Sequence, residues 1–85
     1  MVYVYVLLSQ RDSMFYTGST RDLKRRLVEH SEGKVASTAE RRQLKLVYYE
    51  ACCNEKDARA REKYLKSGMG KRYVRNRLKI FLGEL

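Results

Sequence analysis

From Val2 to Leu8 the chain reads V-Y-V-Y-V-L-L, an unbroken run of β-branched, aromatic and aliphatic residues. That is the pattern of a strand covered on both faces. Ser9-Gln10-Arg11-Asp12 is polar and turn-like, and Met14-Phe15-Tyr16-Thr17 resumes the strand pattern up to Gly18. A four-residue loop over 9–12 pairs residues whose numbers sum to 21, so Tyr5 faces Tyr16 and Tyr3 faces Gly18. Side chains alternate with period two, so Tyr3, Tyr5, Tyr16 and Gly18 share one face. Val2, Val4, Val6, Leu8, Phe15 and Thr17 share the other. A slip of two residues leaves both sets intact.

The pattern then changes to helical spacing. Ser19 or Thr20 is placed to cap a helix, with Asp22 in its first turn, where a carboxylate suits the dipole. Leu23 and Leu27 form its apolar stripe, and Arg26 and His30 lie one turn apart on a neighbouring face. Gly33 is a natural left-handed end to this helix. A polar loop to Gln43 follows, and Leu44 to Glu50 reads as a third strand, antiparallel and beside the first. Asn54 caps a second helix, with Asp57 three residues on. Ser67-Gly68-Met69-Gly70 is expected to break it. A last helix from about Lys71 to Phe81 buries Tyr73 or Val74, Leu78 and Phe81. The predicted fold is α+β: a three-stranded antiparallel sheet flanked by helices, in the order ββαβαα.

Length and charge narrow the function. Eighty-five residues make one domain, 1–85, burying roughly 60–65% of the surface its unfolded chain exposes. Nineteen Lys and Arg against ten Asp and Glu give a net charge of +9, which points to polyanionic partners, nucleic acid first. No apolar run approaches the ~20 residues of a membrane span, Trp is absent, and the N-terminus has strand character rather than that of a signal peptide. Cys52 and Cys53 are adjacent, which suits neither a relaxed disulfide nor an ordinary zinc site. They fit a reducing, cytoplasmic setting. Arg21, Lys24, Arg25 and Arg26 make the start of the first helix cationic, a pattern shared by solvated faces and phosphate-binding ones. Arg25, Lys34, Ser37, Thr38, Arg41 and Arg42 carry the guanidinium, ammonium and hydroxyl groups that phosphate contacts use, although a solvated loop would carry them too.

Tyr3-Val4-Tyr5, ten intervening residues, then Tyr16-Thr17-Gly18 resembles the signature of the GIY-YIG nuclease superfamily. Leu23 and Arg26 stand at the helix positions that follow it, and Glu62, within A-R-A-R-E-K-Y-L-K, resembles the family's metal-binding glutamate. The resemblance spans nearly the whole chain and implies a small stand-alone domain of that fold. Two residues depart from the signature. Tyr3 stands in place of glycine and is expected to fill part of the floor of the site, while Thr17 replaces isoleucine and suits a strand.

The resemblance implies an endonuclease that hydrolyses DNA, including structured or damaged DNA, with Mg²⁺ or Mn²⁺ as cofactor. Tyr5, Tyr16 and Arg26 would be catalytic and Glu62 would hold the metal. Mg²⁺ retains most of its hydration shell, so one carboxylate is an adequate anchor. Arg26 suits a phosphate oxygen. A tyrosine hydroxyl, near pKa 10, becomes a useful base only beside cations, which is the role expected of Tyr16. His30 is placed to relay the proton. Simpler readings stand beside these: Tyr5 and Tyr16 as a cross-strand aromatic pair, Glu62 as the i,i+4 partner of Lys66, His30 as a half-core residue, and the whole chain as a non-catalytic nucleic-acid-binding module or a small interaction protein.

Overall fold

The computed structural model describes residues 1–40 and 43–85. Three strands, β1 (Val2–Ser9), β2 (Phe15–Thr20) and β3 (Leu44–Cys52), form an antiparallel sheet in the order β2-β1-β3. Four helices accompany it: α1 (Leu23–Ser31), α2 (Glu55–Lys66), α3 (Gly68–Arg77) and α4 (Lys79–Gly83). The class and the placing of β3 beside β1 are as the sequence predicts. The order is ββαβααα rather than ββαβαα.

The hairpin register differs from the simplest expectation. Tyr5 pairs with Gly18, Leu7 with Tyr16 and Tyr3 with Thr20, a slip of two residues. The connection is displaced to residues 10–14: Ser9 stays in the strand, and Ser13 adopts a left-handed conformation, with its N–H donating to the Ser9 carbonyl. Face membership survives, as period-two alternation requires.

That slip moves the start of α1. Strand β2 runs on through Thr20, so Ser19 and Thr20 are strand residues and Asp22 is the N-cap, accepting from the Arg25 N–H at 3.1 Å. At the other end Gly33 has φ 74°, the Gly33 N–H reaches the His30 carbonyl and the Lys34 N–H reaches the Glu29 carbonyl. This pair of bonds is a Schellman ending, and it sends the chain back under the helix.

The aliphatic face of β1 makes the core. Val2, Val4 and Val6 pack with Ala58 and Leu65 of α2 and Val74 of α3, with Phe15, Val47, Tyr48 and Leu78 around them. Asn54 caps α2 through the N–H groups of Lys56 and Asp57. Ser67 does not merely break the helix: it ends α2 and caps α3, accepting from the Gly70 N–H. A side chain at Gly70 would run into the Tyr64 carbonyl oxygen and Leu65 Cα, so α3 can start this close to α2 only with glycine there. The expected last helix is split at Leu78 into α3 and α4.

Tyr3 does not sit in the floor of the site. It meets Tyr49 edge-on, ring centroids 6.2 Å apart, in a groove shared with Leu23, Leu27 and Leu46 on the far side of α1.

Candidate active site

The tyrosine face of the sheet lies under α1. Tyr5 is fully buried, and its ring crosses the strand pair over Gly18. A Cβ at Gly18 would lie 2.6 Å from the Tyr5 hydroxyl and 2.8 Å from its Cζ. Glycine is therefore needed here for space, so that the phenol can lie across β2. The Tyr5 hydroxyl meets His30 Nε2 at 2.9 Å, and His30 Nδ1 meets the Thr38 hydroxyl at 2.7 Å. His30 and Thr38 are almost wholly inaccessible. Tyr16 packs its ring against His30 (centroids 5.2 Å) and Tyr5 (6.4 Å), and its hydroxyl accepts from Ser37 at 3.3 Å.

Arg26, one turn before His30, lies near enough to Tyr5 for its charge to act on the phenol, and it donates to Glu29 at 3.2 Å. Beside it opens a hollow of about 350 Å³ lined by Ser19, Thr20, Arg21, Asp22, Arg25, Arg26 and Glu29. Glu62, from α2, touches one residue of the hollow's wall, its Oε1 accepting from the Ser19 hydroxyl at 2.6 Å. Ser19 pairs with Val4 on the aliphatic face of edge strand β2, whereas Tyr5 and Arg26 lie on the other face. The hollow thus wraps the open edge of β2 and joins groups from both sides of the sheet.

Charge follows from these surroundings. Burial raises the proton affinity of Tyr5, and the neighbouring Tyr16 and Glu62 add to it, against the opposing Arg26 guanidinium. Tyr5 is therefore a neutral phenol at neutral pH. Burial and then the Arg26 charge lower the pKa of His30, with Glu29 opposing, so the ring is neutral as well. Burial works against ionisation of Glu62, but its bonds to Ser19 and Lys66 outweigh it and hold the carboxyl below its usual pKa. Glu62 is a carboxylate.

Glu62 makes both contacts that its neighbours allow. The expected i,i+4 pair with Lys66 forms at 2.9 Å, and the second oxygen turns to Ser19 and the hollow. No group of three or more His, Cys, Asp or Glu with metal-binding spacing occurs among the described residues. An ionised, half-buried carboxylate bonded to a residue of the hollow's wall fits a hydrated divalent cation that needs one protein anchor.

The remaining expected residues divide. Arg25 lines the hollow and pairs loosely with Glu29 at 3.5 Å. Lys34 is exposed and paired with Glu32. Ser37 is exposed beside Tyr16. Thr38 is a correction: its side chain faces inward to His30, where no phosphate can reach it. His30 also lies inside rather than on the wall of the hollow, so it reaches the site through Tyr5. Arg41 and Arg42 lie outside the described residues. Ser19 and Glu29 are site residues that the sequence reading missed. For Ser19 a signal existed, since alternation with Thr17 already turns it toward the helices behind the sheet.

Comparison with known proteins agrees with this geometry. Residues 1–77 match the GIY-YIG catalytic domain. A UPF0213 protein of Clostridium perfringens is 42% identical over 67 residues, covering 78% of this chain and 71% of the relative. One from Lacticaseibacillus paracasei is 38% identical over 83 residues, 96% of this chain and 86% of the relative. Another, from Bacillus pumilus, is 37% identical over 84 residues, 98% and 80%. No solved structure matches. With the paired tyrosines, the glycine that makes room for one of them, the helix arginine and the carboxylate from α2 all in place, the chain belongs to the GIY-YIG catalytic domain family.

Proposed function

We propose that this protein is an endonuclease that hydrolyses phosphodiester bonds in DNA at the β2 edge, using Mg²⁺ or Mn²⁺ held by Glu62. The observation that carries the proposal is Ser19: it lines the hollow together with Arg26 and donates to Glu62, so a guanidinium for a phosphate and a carboxylate for a cation are linked through one residue of the β2 edge. Glu62 would hold the divalent cation, which when bound would supply Lewis acidity for the leaving oxygen. Arg26 binds a non-bridging phosphate oxygen through its planar fork, exchanging Glu29 for the substrate. Tyr16, more open than Tyr5, takes the proton of the attacking water. Tyr5 stays a phenol and fixes the position of Arg26. Arg25, Lys34 and Ser37 extend the contact along the backbone.

The test is cleavage of plasmid, single-stranded and branched DNA with Mg²⁺ or Mn²⁺, wild type against Glu62→Gln. Metal-dependent cutting that is lost in the variant supports the proposal, and cutting that persists overturns the role of Glu62. A second reading, a binding module without cleavage, is favoured by one observation: Glu62 and Arg26 are already engaged by Lys66 and Glu29. It predicts salt-dependent DNA binding, from counterion release, with no cutting under any metal.

A further inference from the structure

We propose that Thr38 is a positioning residue for the active site: by accepting the His30 Nδ1 proton, it makes His30 Nε2 the acceptor that holds the Tyr5 hydroxyl. The chain of contacts is Tyr5 hydroxyl to His30 Nε2, His30 Nδ1 to Thr38 Oγ1, and Thr38 Oγ1 to the Val35 carbonyl at 3.5 Å. Proton counting gives its direction. Tyr5 is fully buried, so its hydroxyl proton needs an acceptor. Among the described residues His30 Nε2 is the acceptor within reach, which leaves the single ring proton on Nδ1. That proton meets Thr38 Oγ1, whose own hydrogen turns to the Val35 carbonyl. The reverse tautomer would leave the Tyr5 proton without a partner among the described residues and draw the Thr38 hydrogen from the Val35 carbonyl to Nδ1, a costly arrangement at this burial.

The backbone holds Thr38 for this purpose. The Schellman ending at Gly33 turns the chain under α1, buried Val35 anchors it, and the Thr38 N–H closes a turn onto the Val35 carbonyl at 3.1 Å. The groups facing His30 are Tyr5, Tyr16, Arg26 and Glu29, and none of them but Tyr5 bonds to the ring. A threonine in the loop after α1, far along the chain from either signature strand, would therefore set the geometry of the first signature tyrosine.

The effect on cleavage rests on the nuclease proposal, whereas the tautomer does not. His30 is the only histidine in the chain, so long-range ¹H–¹⁵N correlation reads its tautomer without assignment. Wild type and Thr38→Ser are expected as the Nδ1–H form, and Thr38→Val, which keeps the shape but removes the acceptor, as a mixture with Nε2–H. In the cleavage assay kcat falls on the order of tenfold in Thr38→Val with KM little changed, and Thr38→Ser restores it. A wild-type Nε2–H tautomer, or a pure Nδ1–H form in Thr38→Val, overturns the proposal. Should no variant or wild type cut DNA, the nuclease proposal fails while the tautomer measurement still decides this one.

Discussion

Two clusters in this molecule are built from almost the same parts. On the tyrosine face Tyr5 and Tyr16 stand with Arg26 and Glu29. On the core side Tyr48 and Tyr73 stand with Arg61 and Glu50. In the second cluster Arg61 grips Glu50 with both Nε and Nη2, its guanidinium lies about 5 Å from the rings of Tyr64 and Tyr73, and Tyr48 donates to Glu50 at 2.7 Å. Burial, then the bonds to Tyr73 and Glu50, raises the pKa of Tyr48 far above its usual value. Each of the four side chains is engaged by another of them, and the cluster ties β3 to α2 and α3. Arg26 makes a single bond to Glu29 and faces a hollow, and a carboxylate from another element holds Ser19 on its wall. What separates a functional cluster from a structural one is unspent hydrogen-bonding capacity next to open space, because residue types alone do not distinguish them.

The largest expected effect breaks the comparison at the metal anchor. Glu62→Gln lowers cleavage by about 10²-fold or more while the fold melts nearly as before, since the lost Lys66 pair is worth only a few tenths of a kcal/mol. Kinetics beside a thermal melt checks both halves. Arg61→Ala should do the reverse: a loss of about 2 kcal/mol, from stranding Glu50 and removing ring contacts, with little change in cleavage per folded molecule. At this chain length that is a fall in Tm of roughly 8–16 °C. If Arg61→Ala kills cleavage without lowering Tm, the division between the two clusters is wrong.

Gly18→Ala is next. The new Cβ collides with the Tyr5 hydroxyl, costing about 1–3 kcal/mol, and Gly18→Ala combined with Tyr5→Phe should recover part of that because the colliding oxygen is gone. Denaturant melts of the single and double variants measure the coupling, and simple additivity would show that Gly18 is not there to make room. The smallest effect is in pH. The folded pKa of His30 lies below its unfolded value near 6.5, so the unfolded chain binds the extra proton first on acidification. Its contribution is present above pH 6.5 and is lost as pH falls from there through the folded pKa. Depressed carboxyls such as Glu50 and Glu62 act lower, below their ordinary values near 4.5. Melts of wild type and His30→Gln between pH 7.5 and 5.5 should therefore diverge, with the variant the flatter of the two.

Much of this was legible along the chain. The two faces of the hairpin, the third strand beside the first, the cap at Asn54 and the glycine end of α1 all follow from period-two alternation and local backbone chemistry. These depend on neighbours within a few residues, and they survive a register slip that leaves parity unchanged. Only the folded chain decided the rest. Tyr5 was expected opposite Tyr16 and lies opposite Gly18, which changes the reason for the glycine from motif to space. Thr38, polar and in a polar loop, was placed outside and is buried, because its hydroxyl meets a histidine eight residues away. Glu62 was legible as a helical pair of Lys66, and its second partner, Ser19, is forty-three residues distant. Local pattern fixes which way a side chain points from its own element. What it points at depends on how elements from distant parts of the chain pack, and a period-two or helical repeat carries no information about that.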